Sequence, residues 1–304
     1  MEIINVVPRG FCKGVVRAIE LAKQTALKYP DRQITVLGEL VHNKYVVEAL
    51  RNNRIRTVED KSKSRLQLLD EINEGVVIFS AHGVSDEVIR RAEAKGLILV
   101  NATCDDVIHT QNLIREHLQE GFDILYIGQR SHPEAQAIAA MDIEHIHLIS
   151  SIQDLNELEL GGSKVFVTNQ TTMSQYDTQD LMLAIANKFP QADISNEICS
   201  ATRLRQDAVK KLEDVDCLIV VGDVNSNNTT MLAKIGQEKG IRHVFRVESA
   251  EDLPIEIVKS CHRVAITAGA STPYFLIKQV NDFCSALAED RTPDLQKIDS
   301  SLIL

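Results

Sequence analysis

The chain has no tryptophan, and aromatic residues make up only 4% of its 304 positions. Recognition of bases by stacking needs aromatic platforms, so that device is not the basis of its function. A block of Lys and Arg is missing too. The 33 basic residues face 43 acidic ones, for a net charge of −10. A nucleic-acid-binding protein carries a basic face, and the long-range field of this chain repels polyanions. A small phosphate ligand held by a few local donors remains compatible with that balance. No apolar run approaches the roughly 18 residues of a membrane-spanning helix. The opening residues Met1-Glu2-Ile3-Ile4-Asn5-Val6-Val7 lack a basic segment followed by an apolar one, so they read as a strand rather than a signal peptide. The expectation is a cytoplasmic protein with neither membrane nor nucleic acid as partner. Apolar residues at 44% and charged residues at 25% suit a globular chain.

Close cysteine pairs of the Cys-x2-Cys kind, common in zinc sites, are also lacking. Six dispersed cysteines are present. In a reducing compartment, dispersed cysteines point to metal binding or catalysis more often than to disulfides.

Short β-branched runs alternate with amphipathic stretches. Strands are predicted at 34–37, 76–79, 97–100, 124–127, 165–167, 218–221 and 264–266. Helices are predicted at 15–27, 86–95, 107–119, 179–188, 202–211 and 230–239. Continuous apolar strands between helices predict an α/β fold with mostly parallel sheets covered on both faces. The tail from 290 onward is expected on the surface.

Three of the cysteines share a context. Cys12, Cys104 and Cys199 each follow a predicted strand and precede a predicted helix, at nearly equal intervals along the chain. This spacing divides the chain into three similar modules, 13–103, 104–198 and 199–304, the last joined by the N-terminal strand 1–12. Each module offers two further polar strand ends. They are His42 and His82 in the first module, His132 and Thr171 in the second, and Ser226 and Ser271 in the third. Ligands of open α/β sheets sit at the carboxyl ends of strands. Three modules aiming these ends at a common centre would gather all nine residues around one cavity.

Thiolates are soft ligands that suit iron–sulfur clusters or zinc. A closed zinc site takes four ligands. Three cysteines from three modules suit instead a cluster with one iron free of protein thiolate. Buried core cysteines are the competing explanation. It fits Cys217, inside an aliphatic run, and extends to Cys261 and Cys284. Protonated imidazoles of His42, His82 and His132 would pair with phosphate oxygens, whereas the other six histidines lack such placement and read as surface or core. Glu134 in Ser131-His132-Pro133-Glu134 would be a general acid if its carboxyl were held protonated. The loops 222–229 and 267–273 present hydroxyls, amides and backbone N–H groups at helix starts, which suits a diphosphate. Helix capping would also explain their Ser, Asn and Thr.

Nine segments in order carry a resemblance over nearly the whole chain. They are Pro8-Arg9-Gly10-Phe11-Cys12-x-Gly14-Val15, Val41-His42-Asn43, Ser80-Ala81-His82-Gly83-Val84-Ser85, Ala102-Thr103-Cys104, His132-Pro133-Glu134, Gln170-Thr171-Thr172, Ile198-Cys199-x-Ala201-Thr202, Asn225-Ser226-x-Asn228 and Thr267-Ala268-Gly269-Ala270-Ser271. The sequence resembles the 4-hydroxy-3-methylbut-2-enyl diphosphate reductase family, which acts last in the non-mevalonate isoprenoid pathway. The resemblance implies a trefoil of three α/β modules around a central [4Fe–4S] cluster bound by Cys12, Cys104 and Cys199. It implies that His42, His82, His132, Ser226, Asn227, Asn228 and Ser271 hold the diphosphate. Thr171 and Glu134 would face the allylic hydroxyl, with Glu134 delivering the proton as that hydroxyl leaves as water. Electrons would come from ferredoxin or flavodoxin.

Three departures from the family pattern stand out. Asp105-Asp106 replaces the Pro that usually follows the second cluster cysteine. Ser131 replaces a Gly. Asn227 replaces a phosphate-facing hydroxyl. Two other functions share parts of the pattern. A quinolinate-synthase-like dehydratase would use the same kind of cluster with no net redox change, and an iron–sulfur sensor would have no diphosphate affinity.

Overall fold

Twelve strands alternate with helices among the described residues of the computed structural model, which are 1–162, 164–293, 295 and 299. The end of the predicted surface tail, 300–304, lies outside them. In chain order the strands are β1 (Glu2–Asn5), β2 (Ile34–Leu37), β3 (Ile55–Val58), β4 (Val76–Phe79), β5 (Ile98–Asn101), β6 (Phe122–Ile127), β7 (Ile146–Ile149), β8 (Lys164–Asn169), β9 (Asp193–Ile194), β10 (Cys217–Val221), β11 (His243–Val247) and β12 (Arg263–Ala268). They form three four-stranded sheets, and every pairing is parallel.

The three sheets repeat one strand order. The first runs β3-β2-β4-β5, the second β7-β6-β8-β9, and the third β11-β10-β12-β1. In each, the second strand in sequence lies at the edge, the first and third are central, and the fourth lies at the other edge. In the third sheet, β1 takes the fourth place by pairing with β12. The α/β modules with parallel sheets expected from the sequence are therefore present.

By contacts the chain forms two compact units, and the division falls inside the helix Lys13–Lys28. The first unit comprises Met1–Ile19, Val41–Asn53 and Ser200–Leu304. It contains the third sheet. The aliphatic strand β10 is wholly buried, and Ile219, Val221 and Ile266 pack against Leu276, Val280 and Phe283 of the helix Tyr274–Ala288. Each such side chain contributes about 1.5–3 kcal/mol through burial. Cys217, Cys261 and Cys284 lie in this core. Burial raises all three thiols, Cys284 to about 12, so they are packing groups rather than ligands.

The second unit, Glu20–Leu40 with Arg54–Cys199, contains the other two sheets. Leu37, Val77 and Phe79 pack with Val88 in one core. Leu125, Ile127, Val165 and Val167 pack with Ile185 in another. Among the described residues, no helix is long and apolar enough to cross a membrane.

Candidate functional site

Each of the three cysteines sits just past the fourth strand of its sheet and just before a helix. The helices are Lys13–Lys28, Asp105–Gln119 and Ser200–Lys210. One backbone hydrogen bond recurs at all three. Cys12 N–H donates to the Ala270 carbonyl (2.9 Å), Cys104 N–H to Ala81 (3.0 Å) and Cys199 N–H to Thr171 (3.0 Å). The same bond fixes each cysteine against the end of the third strand. All three are partly exposed, in contrast to the core cysteines. Cys104 is an N-cap that makes no side-chain capping bond, and its Sγ instead approaches Asp106 Oδ2 at 3.7 Å. Partly exposed sulfur donors at helix N-termini suit an anionic iron–sulfur cluster, because the backbone N–H groups there carry positive partial charge. The residues present fit that cofactor.

This recurring bond also corrects a register. Thr171 aligns with Ala81 and Ala270, so the residue equivalent to His82 and Ser271 is Thr172 rather than Thr171. Thr172 Oγ1 receives a hydrogen bond from Gln170 Nε2 (3.0 Å).

In the second unit, Glu134 is buried, 2% exposed, in the first turn of the helix Pro133–Ala139. Its Oε1 accepts hydrogen bonds from Thr171 N–H (2.8 Å) and from Tyr126 O–H (3.1 Å). Its Oε2 lies 2.9 Å from Thr171 Oγ1. Burial pushes the carboxyl up to about 7, outweighing the lowering effect of the Thr171 and Tyr126 hydrogen bonds, and the charge of Asp106 adds to the rise. A carboxyl with that acidity both holds and releases a proton near neutral pH. Tyr126, fully buried and itself raised by burial, was not singled out from the sequence. Its signal was there. A tyrosine in an otherwise aliphatic run of a buried strand needs a partner for its hydroxyl.

His132 caps the helix Pro133–Ala139, and its Nδ1 accepts the Glu134 N–H at 3.2 Å. Nδ1 serves as the acceptor that caps this helix. The His82 ring meets the His132 ring edge-on at 5.5 Å, and Ser80 Oγ lies 3.3 Å from His82 Nδ1. The next residue, Gly83, has φ +82, and a Cβ there would stand 2.9 Å from Gln111 Nε2. Glycine is therefore required for the chain to leave His82 in this direction.

In the first unit, Ser226 caps the helix Asn227–Glu238, its Oγ accepting Thr229 N–H at 3.3 Å. Asn228 bridges two segments, its Nδ2 donating to Thr202 Oγ1 (3.1 Å) and its Oδ1 accepting Ala270 N–H (3.1 Å). Asn227 is buried beside it. Ser271 Oγ donates to the His42 carbonyl at 2.8 Å. Asp223, also missed in the sequence, is buried and holds two loops at once. Its Oδ1 accepts Asn225 N–H (2.8 Å) and its Oδ2 accepts Lys44 N–H (2.9 Å). Within this unit, the structure joins His42 to Ser271 and to the Ser226 loop. Within the second unit it joins His82, His132, Glu134 and Thr171.

Comparison with known proteins agrees over nearly the whole length. The family model described as LytB protein matches residues 3–285. The 4-hydroxy-3-methylbut-2-enyl diphosphate reductase of Geobacillus sp. (strain WCH70) is 44% identical over 285 residues, covering 93% of this chain and 90% of the relative. That of Bacillus cytotoxicus is 46% identical over 285 residues, with the same shares of 93% and 90%. Among solved structures, the E-1-hydroxy-2-methyl-but-2-enyl-4-diphosphate reductase of Plasmodium falciparum superimposes with a TM-score of 0.86 at 31% identity, covering 93% of this chain and 87% of that one.

Proposed function

The chain belongs to the LytB family, and we propose that it catalyses reductive dehydroxylation of (E)-4-hydroxy-3-methylbut-2-enyl diphosphate to isopentenyl diphosphate and dimethylallyl diphosphate. The observation that carries this reading is the trio Cys12, Cys104 and Cys199, held by the same backbone bond at equivalent strand ends. These cysteines would hold a [4Fe–4S] cluster. When bound, the cluster supplies electrons one at a time and an iron with no protein thiolate.

Each turnover consumes two electrons and two protons. The C–O bond of the allylic alcohol breaks, a C–H bond forms, and the oxygen leaves as water. Glu134 holds one proton at the carboxyl near Thr171 Oγ1 and delivers it to the departing hydroxyl. Thr171, bonded to Glu134 through both N–H and Oγ1, orients that carboxyl. The residues we assign to diphosphate binding are His42, His82, His132, Ser226, Asn227, Asn228 and Ser271. Asn228 and Ser226 spend part of their hydrogen bonding on shaping the loops. Burial of Glu134 keeps water away and its carboxyl a weak acid. Reducing equivalents come from ferredoxin or flavodoxin, and the reaction takes place in the cytoplasm.

The test is an anaerobic assay of reconstituted protein with dithionite and a viologen mediator. Loss of substrate that depends on the reductant supports the reductase. Turnover that proceeds without any reductant would mean a dehydratase, and absence of diphosphate affinity would mean a sensor. Cys104→Ala should lose most of its bound iron and sulfide, and retention of a full complement would contradict the three-cysteine assignment.

A further inference from the structure

The proposed reaction draws two electrons per turnover from outside the chain, so a carrier must approach the cluster. We propose that the exposed first turns of the helices Lys13–Lys28 and Ser200–Lys210 form the docking surface for a small acidic one-electron carrier protein. The inference rests on the reductase reading and adds the place and chemistry of the donor's contact.

Both helices start one residue after a cluster cysteine, Cys12 in one case and Cys199 in the other. Their first turns share a composition. Lys13 and Arg203 are exposed cations, and each has an exposed aliphatic neighbour, Val16 (52% exposed) and Leu204 (55%). The two stretches are tied together inside the first unit. The buried Arg205 donates one hydrogen bond to the Ala201 carbonyl of its own helix and another to the Gly10 carbonyl, two residues before Cys12, each at 2.7 Å. Val7 (68%) and Tyr274 (71%) in the same unit are also left to solvent. An exposed apolar side chain near a cation at each helix start offers a partner both contact and charge.

Charge says which partner fits. The chain as a whole carries −10 and repels an acidic protein at long range. An acidic carrier therefore needs a local basic entry point. Many other surface cations are neutralised by ion pairs, among them Lys63 with Glu71, Arg91 with Asp70, and Arg263 with Glu2. Among the described residues, neither Lys13 nor Arg203 has such a partner. A small patch of two cations around aliphatic side chains suits the brief encounters of electron transfer, whose interfaces are small and whose rates are governed by charge. At each encounter the reduced carrier loses one electron and the cluster gains one, and two encounters serve one turnover.

The test measures the Kd of an oxidised acidic ferredoxin for the anaerobically reconstituted protein by titration calorimetry. Wild type is compared with the double variant Lys13→Glu/Arg203→Glu at low and high salt. The expected results are a Kd about tenfold weaker in the variant at low salt, wild-type binding that weakens with salt, and viologen-driven turnover equal in both. An unchanged Kd, or salt-independent binding by the wild type, would overturn the proposal. If the double charge reversal costs iron and sulfide content, Lys13→Gln/Arg203→Gln replaces it, and an unchanged Kd there is equally decisive. Failure of viologen-driven turnover in the wild type would instead sink the reductase reading.

Discussion

Glu134→Gln separates the proton-donor role from the shape of the site. The amide keeps the geometry, its oxygen accepting from Thr171 N–H and Tyr126 O–H while its NH2 group donates to Thr171 Oγ1. What it loses is the transferable proton. A positioned general acid contributes on the order of 10²–10⁴-fold, and turnover should fall by that factor with little change in KM. Two pH effects follow from the raised carboxyl. The folded state holds its proton up to about pH 7, whereas the unfolded carboxyl titrates near 4.5. Between those values the folded state binds more protons, so stability from this group is full below about 4.5, falls as pH rises to about 7, and is level above. At about 1.4 kcal/mol per pH unit, the loss from pH 4 to pH 8 is about 3 kcal/mol. Gln does not titrate. Anaerobic urea unfolding of the two proteins should therefore show the variant gaining about 3 kcal/mol relative to wild type across that range. Wild-type kcat should also decline on the alkaline side of about pH 7, and the variant should lack that limb. Wild-type turnover in the Gln variant, or a stability difference that does not move with pH, would refute the assignment.

Two other substitutions probe the supports of the site. Thr171→Val removes the hydroxyl bonded to Glu134 Oε2, a bond that lowers the carboxyl. The alkaline limb of its pH–rate profile should move to higher pH, and a profile shifted downward would contradict a lowering role for that hydroxyl. Asp223→Asn sets an amide NH2 group against one of two backbone N–H donors, those of Lys44 and Asn225, at a cost of about 1–3 kcal/mol. Inorganic pyrophosphate should bind more weakly and KM should rise while kcat holds. Equal pyrophosphate affinity would show that the His42 and Ser226 loops do not need this carboxylate.

The central strands were legible because burial on both faces forces continuous aliphatic runs, as at Ile34–Leu37 and Val76–Phe79. Edge strands carry weaker patterns. β3 is Ile-Arg-Thr-Val with Arg56 exposed, so its pattern does not stand out. The equivalence of Cys12, Cys104 and Cys199 could be read from spacing, since a repeated module repeats its strand ends. The one-residue offset between Thr171 and Thr172 could not, because loop lengths differ between modules and only the backbone bond sets the register. The sequence makes Glu134 a general acid only if its carboxyl is held protonated, and burial is the main cause of that rise. The capping role of His132 was not legible either, because it couples the ring to the N–H of a residue two positions on. Asp223 was hidden for a similar reason, because its partner Lys44 lies in a distant segment of the chain.

The central claim is that this chain uses electrons to remove a hydroxyl from an allylic diphosphate. The most direct measurement is the ratio of reduced viologen consumed to product formed by reconstituted protein under anaerobic conditions. Two one-electron equivalents are expected for each molecule of isopentenyl or dimethylallyl diphosphate. Consumption of the substrate with no oxidation of viologen, or viologen oxidation with neither product, would contradict the claim.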